Sequence, residues 1–219
     1  MSWPKDHKQV TRQRIVEAAA AAFRERGVAD VGIAEIMRRA GLTHGGFYAH
    51  FDSKEDLLAA ALDHAATQVT SMLETAVKNR PGPDQLLNVA LTYLSPPHLI
   101  HPESGCPVAA LGPELARSSK KVKQTLAVAI RTRLKNLSDL ISSSVPPEKR
   151  KRLTAGAVAC MVGGLVLARG LKEAEALEFL KDCHAFLLDT LANSRCASHE
   201  PKERIKRKSR GTEMRTSRR

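Results

Sequence analysis

The chain has 219 residues, 35 of them Lys or Arg against 23 Asp or Glu, for a formal charge of +12. That length is one or two small domains. An apolar share of 42% supplies a buried core, while five Phe, two Tyr and one Trp are too few for an aromatic platform that stacks single-stranded nucleic acid.

Cys106, Cys160, Cys183 and Cys196 are widely spaced in a chain too large to need a disulfide framework, which points to a reducing compartment. The opening stretch MSWPKDHKQVTRQR is polar and has no apolar h-region, so a cytoplasmic protein is expected.

Ile15, Ala18, Ala19, Ala22 and Phe23 recur at helical spacing and stop at Gly27, which predicts a first helix. Ile33, Ile36, Met37 and Ala40 predict a second, very short one that stops at Gly41. Thr43 offers a hydroxyl to cap a third short helix, with Phe47 and Phe51 on one face. Ser53 and Asp56 form a capping-box variant ahead of a long fourth helix through Leu57, Leu58, Ala61, Leu62 and Ala65 to about Val77.

After Arg80-Pro81-Gly82-Pro83, Asp84 is expected to cap a run through Leu86, Leu87, Ala90, Leu91 and Leu94, which Pro96-Pro97 ends. His98 to Gly105 reads as a loop. Pro107 suits a helix's first position, and a break is expected at Gly112-Pro113. Val122, Leu126, Ile130, Leu134, Leu137 and Ile141 mark a long helix stopped by Pro146-Pro147.

Two further helices follow, about Glu148 to Arg169 and one carrying Leu177, Leu180, Leu187, Leu188 and Leu191 that dissolves near Asn193. Leu153 to Ala168 is free of charge yet short of the ~20 residues a membrane span needs, so it reads as a helix buried in a bundle. No segment alternates as a strand does, and the fold class is all-α.

From Arg195 onward ten basic residues face Glu200, Glu203 and Glu213, which places +7 in the last 25 residues. With only Ile205 and Met214 as sizeable apolar side chains, residues 195–219 are expected to be a disordered basic tail.

Two short helices joined at Gly41-Leu42 have the form of a helix-turn-helix. The run IMRRAGLTHGGFYAHFDSKEDL, Ile36 to Leu57, resembles the DNA-binding domain of TetR/AcrR transcriptional regulators, most closely members reading IMxxAGLTHGGFYxHFxSKExL. The resemblance extends from about Thr11 to Leu62. It implies an N-terminal three-helix helix-turn-helix domain (1–52), a C-terminal helical ligand-binding and dimerisation bundle (53–194), and the tail (195–219).

The chain departs from the family where Val31 and Gly32 replace the usual Thr-Ser or Thr-Thr pair, removing a hydroxyl ahead of the second helix. Thr43 and His44, in the first turn of a helix laid in the major groove, can hydrogen-bond base edges, and Gly45 and Gly46 remove side chains that would hold that helix away. These glycines cost about 1 kcal/mol each relative to Ala, compensated by close approach to DNA or by tight packing against the first helix. By the resemblance, Tyr48, His50 and Lys54 contact phosphates, and Arg12 and Arg14 are candidates for an N-terminal arm.

The resemblance further implies a homodimer on a pseudo-palindromic double-stranded DNA operator, most often as a repressor, and an unknown small-molecule effector. No cofactor, metal or membrane is expected. Gly156, Cys160, Gly163 and Gly164 form a small-residue stripe that suits either an interface or internal packing.

Gly105 to Glu114 resembles a GCxxxxLxxE element of some members, whose cysteine in some cases responds to electrophiles or oxidants. Cys106 is therefore a candidate sensor, poised just ahead of a helix N-terminus, against the plainer reading of a packing cysteine. His98, His101 and Cys106 have metal-ligand residue types but lie in a Pro-rich loop without a clear fourth ligand.

The spacings GxSxG, HExxH and the P-loop are absent, and no enzyme is expected. The alternative reading is a basic architectural protein that coats nucleic acid through its tail.

Overall fold

The computed structural model describes residues 5–80, 82 and 85–196, and every regular element among them is helical. In chain order these are α1 (Lys5–Arg26), α2 (Ile33–Arg39), a 3-10 segment (His44–Ala49) and α3 (Lys54–Asn79). Then come α4 (Gln85–Tyr93), α5 (Pro96–Ile100), a 3-10 turn (Pro102–Ser104), α6 (Pro107–Arg117), α7 (Lys120–Ser138), α8 (Pro147–Ala168) and α9 (Glu173–Cys196).

The punctuation follows local chemistry. Gly27 and Gly41 end α1 and α2 at φ of +87° and +69°, a left-handed geometry that glycine enters without a Cβ penalty. Ser53 caps α3, its Oγ accepting the Asp56 N–H at 3.1 Å and donating to the Asp56 carboxylate at 2.9 Å. Pro107 occupies the first turn of α6, with Cys106 as its N-cap.

Several expectations are corrected. α1 begins ten residues before Ile15, at Lys5, because the Lys, Gln and Arg of that stretch are good helix formers that leave no apolar periodicity to read. The third element is a 3-10 helix. Its two glycines weaken α-helical winding, Gly46 N–H bonds to Thr43 O at 3.1 Å, and the Thr43 hydroxyl makes no capping bond.

Pro96-Pro97 start a helix, α5, where only a chain break was expected, and His98 to Gly105 is α5 plus a 3-10 turn where a loop was expected. α6 runs straight through Gly112-Pro113, held by Leu111 and Leu115, which are buried on either side of the proline. α9 continues to Cys196, past Asn193 and into the segment read as tail. Asp84 and residues 197–219, most of the expected tail, lie outside the described residues.

Two apolar cores share α3. The first joins Ile15, Phe23, Ile36, Phe47 and the N-terminal half of α3 with Leu111, Leu115 and Val122 from α6 and α7. The second joins Val69 and Leu73 of α3 with α4, α8 and α9 around Leu94, Met161, Leu165 and Leu187.

α8 is long and apolar enough to cross a membrane, but its Ala157, Met161, Leu165 and Ala168 face is buried against the rest of the chain. The small-residue stripe divides. A Cβ on Gly164 would lie 3.0 Å from Cys183 Sγ and 3.2 Å from Leu94, so this glycine serves internal packing, whereas Gly156 and Gly163 face open space.

Candidate nucleic-acid interface

α1, α2 and the 3-10 segment close around Phe23, Ile36 and Phe47, all essentially inaccessible to solvent. Phe47 anchors the 3-10 segment from beneath, stacking on Phe51 with centroids 5.8 Å apart and meeting Tyr48 edge-on at 5.1 Å. The polar flank is left outward: Thr43, His44, Gly45 and Tyr48 are exposed, Tyr48 to 66%, and Gly46 and His50 are half-buried.

Gly45 is neither strained nor crowded. Its φ is not positive, and a Cβ there would meet no atom within 4 Å. Gly46 is in ordinary contact range of Met37 Cε, at 3.6 Å, and of Thr43 Oγ1. Neither glycine is wedged against α1, so tight packing on the first helix does not account for them.

Around this tip the cations differ in what they do. Burial first, then the neighbouring Lys8 and Arg12 charges, press the His50 imidazole below its ordinary value. The Arg12 guanidinium lies 4.6 Å from the Phe51 ring centroid. Lys8 and Arg12 thus set positive charge beside a neutral His50 on the flank of the tip.

Lys54 Nζ donates to Val28 O at 2.6 Å and lies 5.9 Å from the Phe23 ring centroid, which ties the start of α3 to the end of α1. Arg14 donates to Ala40 O at 2.7 Å, closing α2. Arg39 is paired with Glu25 and Glu35 at 2.6 and 2.9 Å. Val31 is fully buried, so its place ahead of α2 is a core position, and Gly32 caps that helix with extended backbone alone.

A second constellation lies where this unit meets the rest of the chain. His98 is buried and bonded on both ring nitrogens: Nε2 accepts the Cys106 N–H at 2.8 Å, and Nδ1 lies 2.6 Å from Tyr93 O. Since a carbonyl only accepts and an amide N–H only donates, the ring is neutral with its proton on Nδ1. Burial pushes its pKa down to about 4. With both nitrogens engaged, and His101 paired to Glu103 at 3.0 Å, the His98, His101 and Cys106 set offers no converging metal ligands.

Arg24 of α1 reaches into the same place, donating to Ala20 O at 2.9 Å, Gly105 O at 2.7 Å and Gln68 Oε1 at 2.9 Å. Burial lowers its guanidinium to about 10, opposed by Cys106 and Glu103. Arg133 and Arg169 are also lowered by burial, and Cys106 lies within electrostatic range of both. The Cys106 thiol, 7% exposed, thus lies within electrostatic range of three guanidiniums drawn from α1, α7 and the end of α8.

At the other end of α6, Glu114 Oε2 accepts the Val28 N–H at 2.8 Å. The Gly105 to Glu114 element thus grips α1 and its following turn at both ends.

The profile of the bacterial regulatory proteins of the tetR family matches residues 15–61. TtgR of Pseudomonas putida is 48% identical over 59 residues, 27% of this chain and 28% of its own. An HTH-type transcriptional regulator of Mycobacterium tuberculosis is 26% identical over 179 residues, covering 78% of this chain and 91% of that one. The crystal structure of a TetR-family regulator from Cytophaga hutchinsonii superposes with a TM-score of 0.73 at 22% identity, over 88% and 98% of the two chains, and shows the same fold. The chain belongs to the TetR/AcrR family.

As a TetR-family regulator it is a helix-turn-helix DNA-binding protein. Sequence reasoning missed Lys8, which stands in a polar stretch without any pattern, and the convergence of Arg24, Arg133 and Arg169 on Cys106, residues far apart along the chain. The only local signal for the latter was Gly105, where a Cβ would stand 2.5 Å from His98 Cδ2.

Proposed function

We propose that the protein is a repressor that binds a pseudo-palindromic DNA operator as a homodimer in the cytoplasm and is released by a small-molecule effector or by modification of Cys106. In this reading residues 1–52 are the reading head and residues 53–194 the ligand-binding and dimerisation body. The observation that carries it is Gly45: an exposed glycine with no internal demand for its missing side chain, flanked by exposed Thr43 and His44, is explained by a surface that must come close to something outside the chain.

Thr43 and His44 would then read base edges, Gly45 and Gly46 would admit the backbone, and Tyr48 and His50 would reach phosphates, with Arg12 and Lys8 adding charge beside His50. Lys54 would join them by exchanging the Val28 carbonyl for a phosphate oxygen. Arg14 and Arg39 have internal roles and are left out of the interface.

Dimerisation is supported by Val166 and Leu167 on α8 and Phe186 and Leu188 on α9, large apolar side chains left exposed on two helices that pack together. A sensing role for Cys106 is supported by its place at the N-cap of α6 and by the Arg24 bond that joins the preceding carbonyl to the reading head.

The test is to select DNA fragments with the purified protein and repeat the selection with Gly45→Arg. The variant should keep its helical circular dichroism and dimer mass and lose sequence-specific binding. Retained specificity would remove the tip from the interface. Deleting 197–219 separates this reading from the coating protein: a regulator keeps its sequence preference and loses mainly salt-sensitive affinity, whereas a coating protein loses binding altogether.

A further inference from the structure

A cavity of about 350 Å³ opens between α3, α4 and α7, at the small end of the range for ligand sites. Leu73, Val77, Val89, Leu137 and Leu140 make its walls apolar. Its charged lining residues Glu74, Lys78 and Asp139, two acids and one base, are exposed, where solvent and salt screen them. Arg133 is different. It is half-buried, its one described hydrogen bond is a long 3.3 Å contact to Thr70 Oγ1, and burial depresses its pKa.

Tyr93, within electrostatic range of Arg133, is not itself in the cavity wall; it lies one turn beyond the lining residue Val89 on the same face of α4. The Tyr93 ring is 4% exposed and fixed edge-to-face against His98, with centroids 4.5 Å apart. Its hydroxyl is fully buried and makes no full hydrogen bond; the Cys106 thiol interacts with it as a weak partner, and Arg133 and Arg169 lie within electrostatic range.

Among the described residues, none of Arg24, Arg133 and Arg169 is in an ion pair. A buried hydroxyl with only a thiol beside it, near guanidiniums whose acidic neighbours Glu74 and Glu103 act at a distance and form no ion pair with them, is an arrangement that is costly when empty. Water would satisfy the hydroxyl but not the charge; a group that is both acceptor and anion satisfies both.

We propose that this cavity receives an amphipathic anion, its carboxylate-type head group held by the Arg133 guanidinium and the Tyr93 hydroxyl and its apolar tail lying along Leu73, Val77 and Leu137. The proposal rests on the reading of an effector-released regulator only for what binding does to DNA, and the binding itself stands apart from that reading. It also gives the head group a route to the DNA-binding unit: Arg133 and Tyr93 border Cys106, and Gly105 beside it accepts from Arg24 of α1.

The experiment is calorimetric titration of the full chain, without DNA, using octanoate, octan-1-ol and octylammonium, which share a tail and differ in head group. Octanoate should bind saturably, one per chain and about tenfold or more tighter than the alcohol, with octylammonium weakest. Arg133→Met should erase the preference for octanoate over octan-1-ol. Tyr93→Phe, which removes only a hydroxyl that makes no full hydrogen bond and so should fold normally, should weaken octanoate about fivefold and leave octan-1-ol unchanged.

The proposal is overturned if octanoate shows no saturable binding at millimolar concentration, if the alcohol or the amine binds as tightly, or if Arg133→Met folds and keeps the preference. The same titrations followed by DNA retention separate the two readings. Arg133-dependent octanoate binding that leaves a specific DNA complex intact upholds the anion seat and refutes release, and a protein without sequence-specific DNA binding refutes the regulator reading while calorimetry still decides the seat.

Discussion

Acidification should weaken the fold through His98. Nε2 accepts the Cys106 N–H and Nδ1 donates to Tyr93 O, so the ring cannot take a second proton without losing the Cys106 bond inside the protein. Its pKa is held at about 4, against an ordinary value of 6.5. The unfolded chain therefore binds a proton near pH 6.5 that the folded chain refuses until about pH 4. This contribution is fully present above pH 6.5, falls as the pH drops through that window, and levels off below about 4.

The gap amounts to about 3 kcal/mol in all, with a mid-window slope of about 1.4 kcal/mol per pH step of one. Urea unfolding followed by helical circular dichroism, from neutral pH down to about pH 4.5, measures it. The comparison is His98→Gln, which keeps a donor and an acceptor but cannot titrate, so other titrating groups such as His50 and His184 cancel. The wild type should lose about one proton's worth of slope more than the variant between pH 6 and 5. Parallel pH profiles for the two proteins would refute the reasoning.

Four further outcomes are expected. Gly105→Ala should cost about 2–3 kcal/mol, because its Cβ would stand 2.5 Å from the pinned His98 ring, whereas Gly112→Ala in α6, with only Val108 Cγ1 at 3.9 Å, should gain up to about 1 kcal/mol from helix propensity; thermal melts decide both. Tyr93→Phe should raise ligand-free stability by about 1 kcal/mol, a Tm increase of about 2–4 °C, and a decrease would mean that the hydroxyl makes a full hydrogen bond. Arg24→Met keeps the apolar stem but leaves the carbonyls of Ala20 and Gly105 without their charged donor. It should cost about 3 kcal/mol and hasten amide exchange in the second half of α1.

How much of this was legible in the sequence varies with how local the physics is. The ends of α1 and α2 were readable because Gly27 and Gly41 adopt a geometry other residues resist, and the start of α3 because Ser53 and Asp56 satisfy one another within a single turn. The beginning of α1 was not, since exposed Lys and Gln leave no periodic trace.

Pro113 misled because a proline's local cost was outweighed by Leu111 and Leu115 packing on either side of it. The polar tip from Thr43 to His50 was visible as a motif. Its partner constellation was not, because Arg24, Arg133 and Arg169 meet Cys106 only once the helices have packed.

The rod shared by the two cores has a mechanical corollary. At 26 residues α3 is about 39 Å long, with Leu57 and Leu62 embedded in one core and Val69 and Leu73 in the other. Pivoting such a rod by about 5° about one end swings the other by about 3 Å, roughly the length of a hydrogen bond. Small rearrangements in the second core are therefore geared up into displacements large enough to spoil atomic registry at the first.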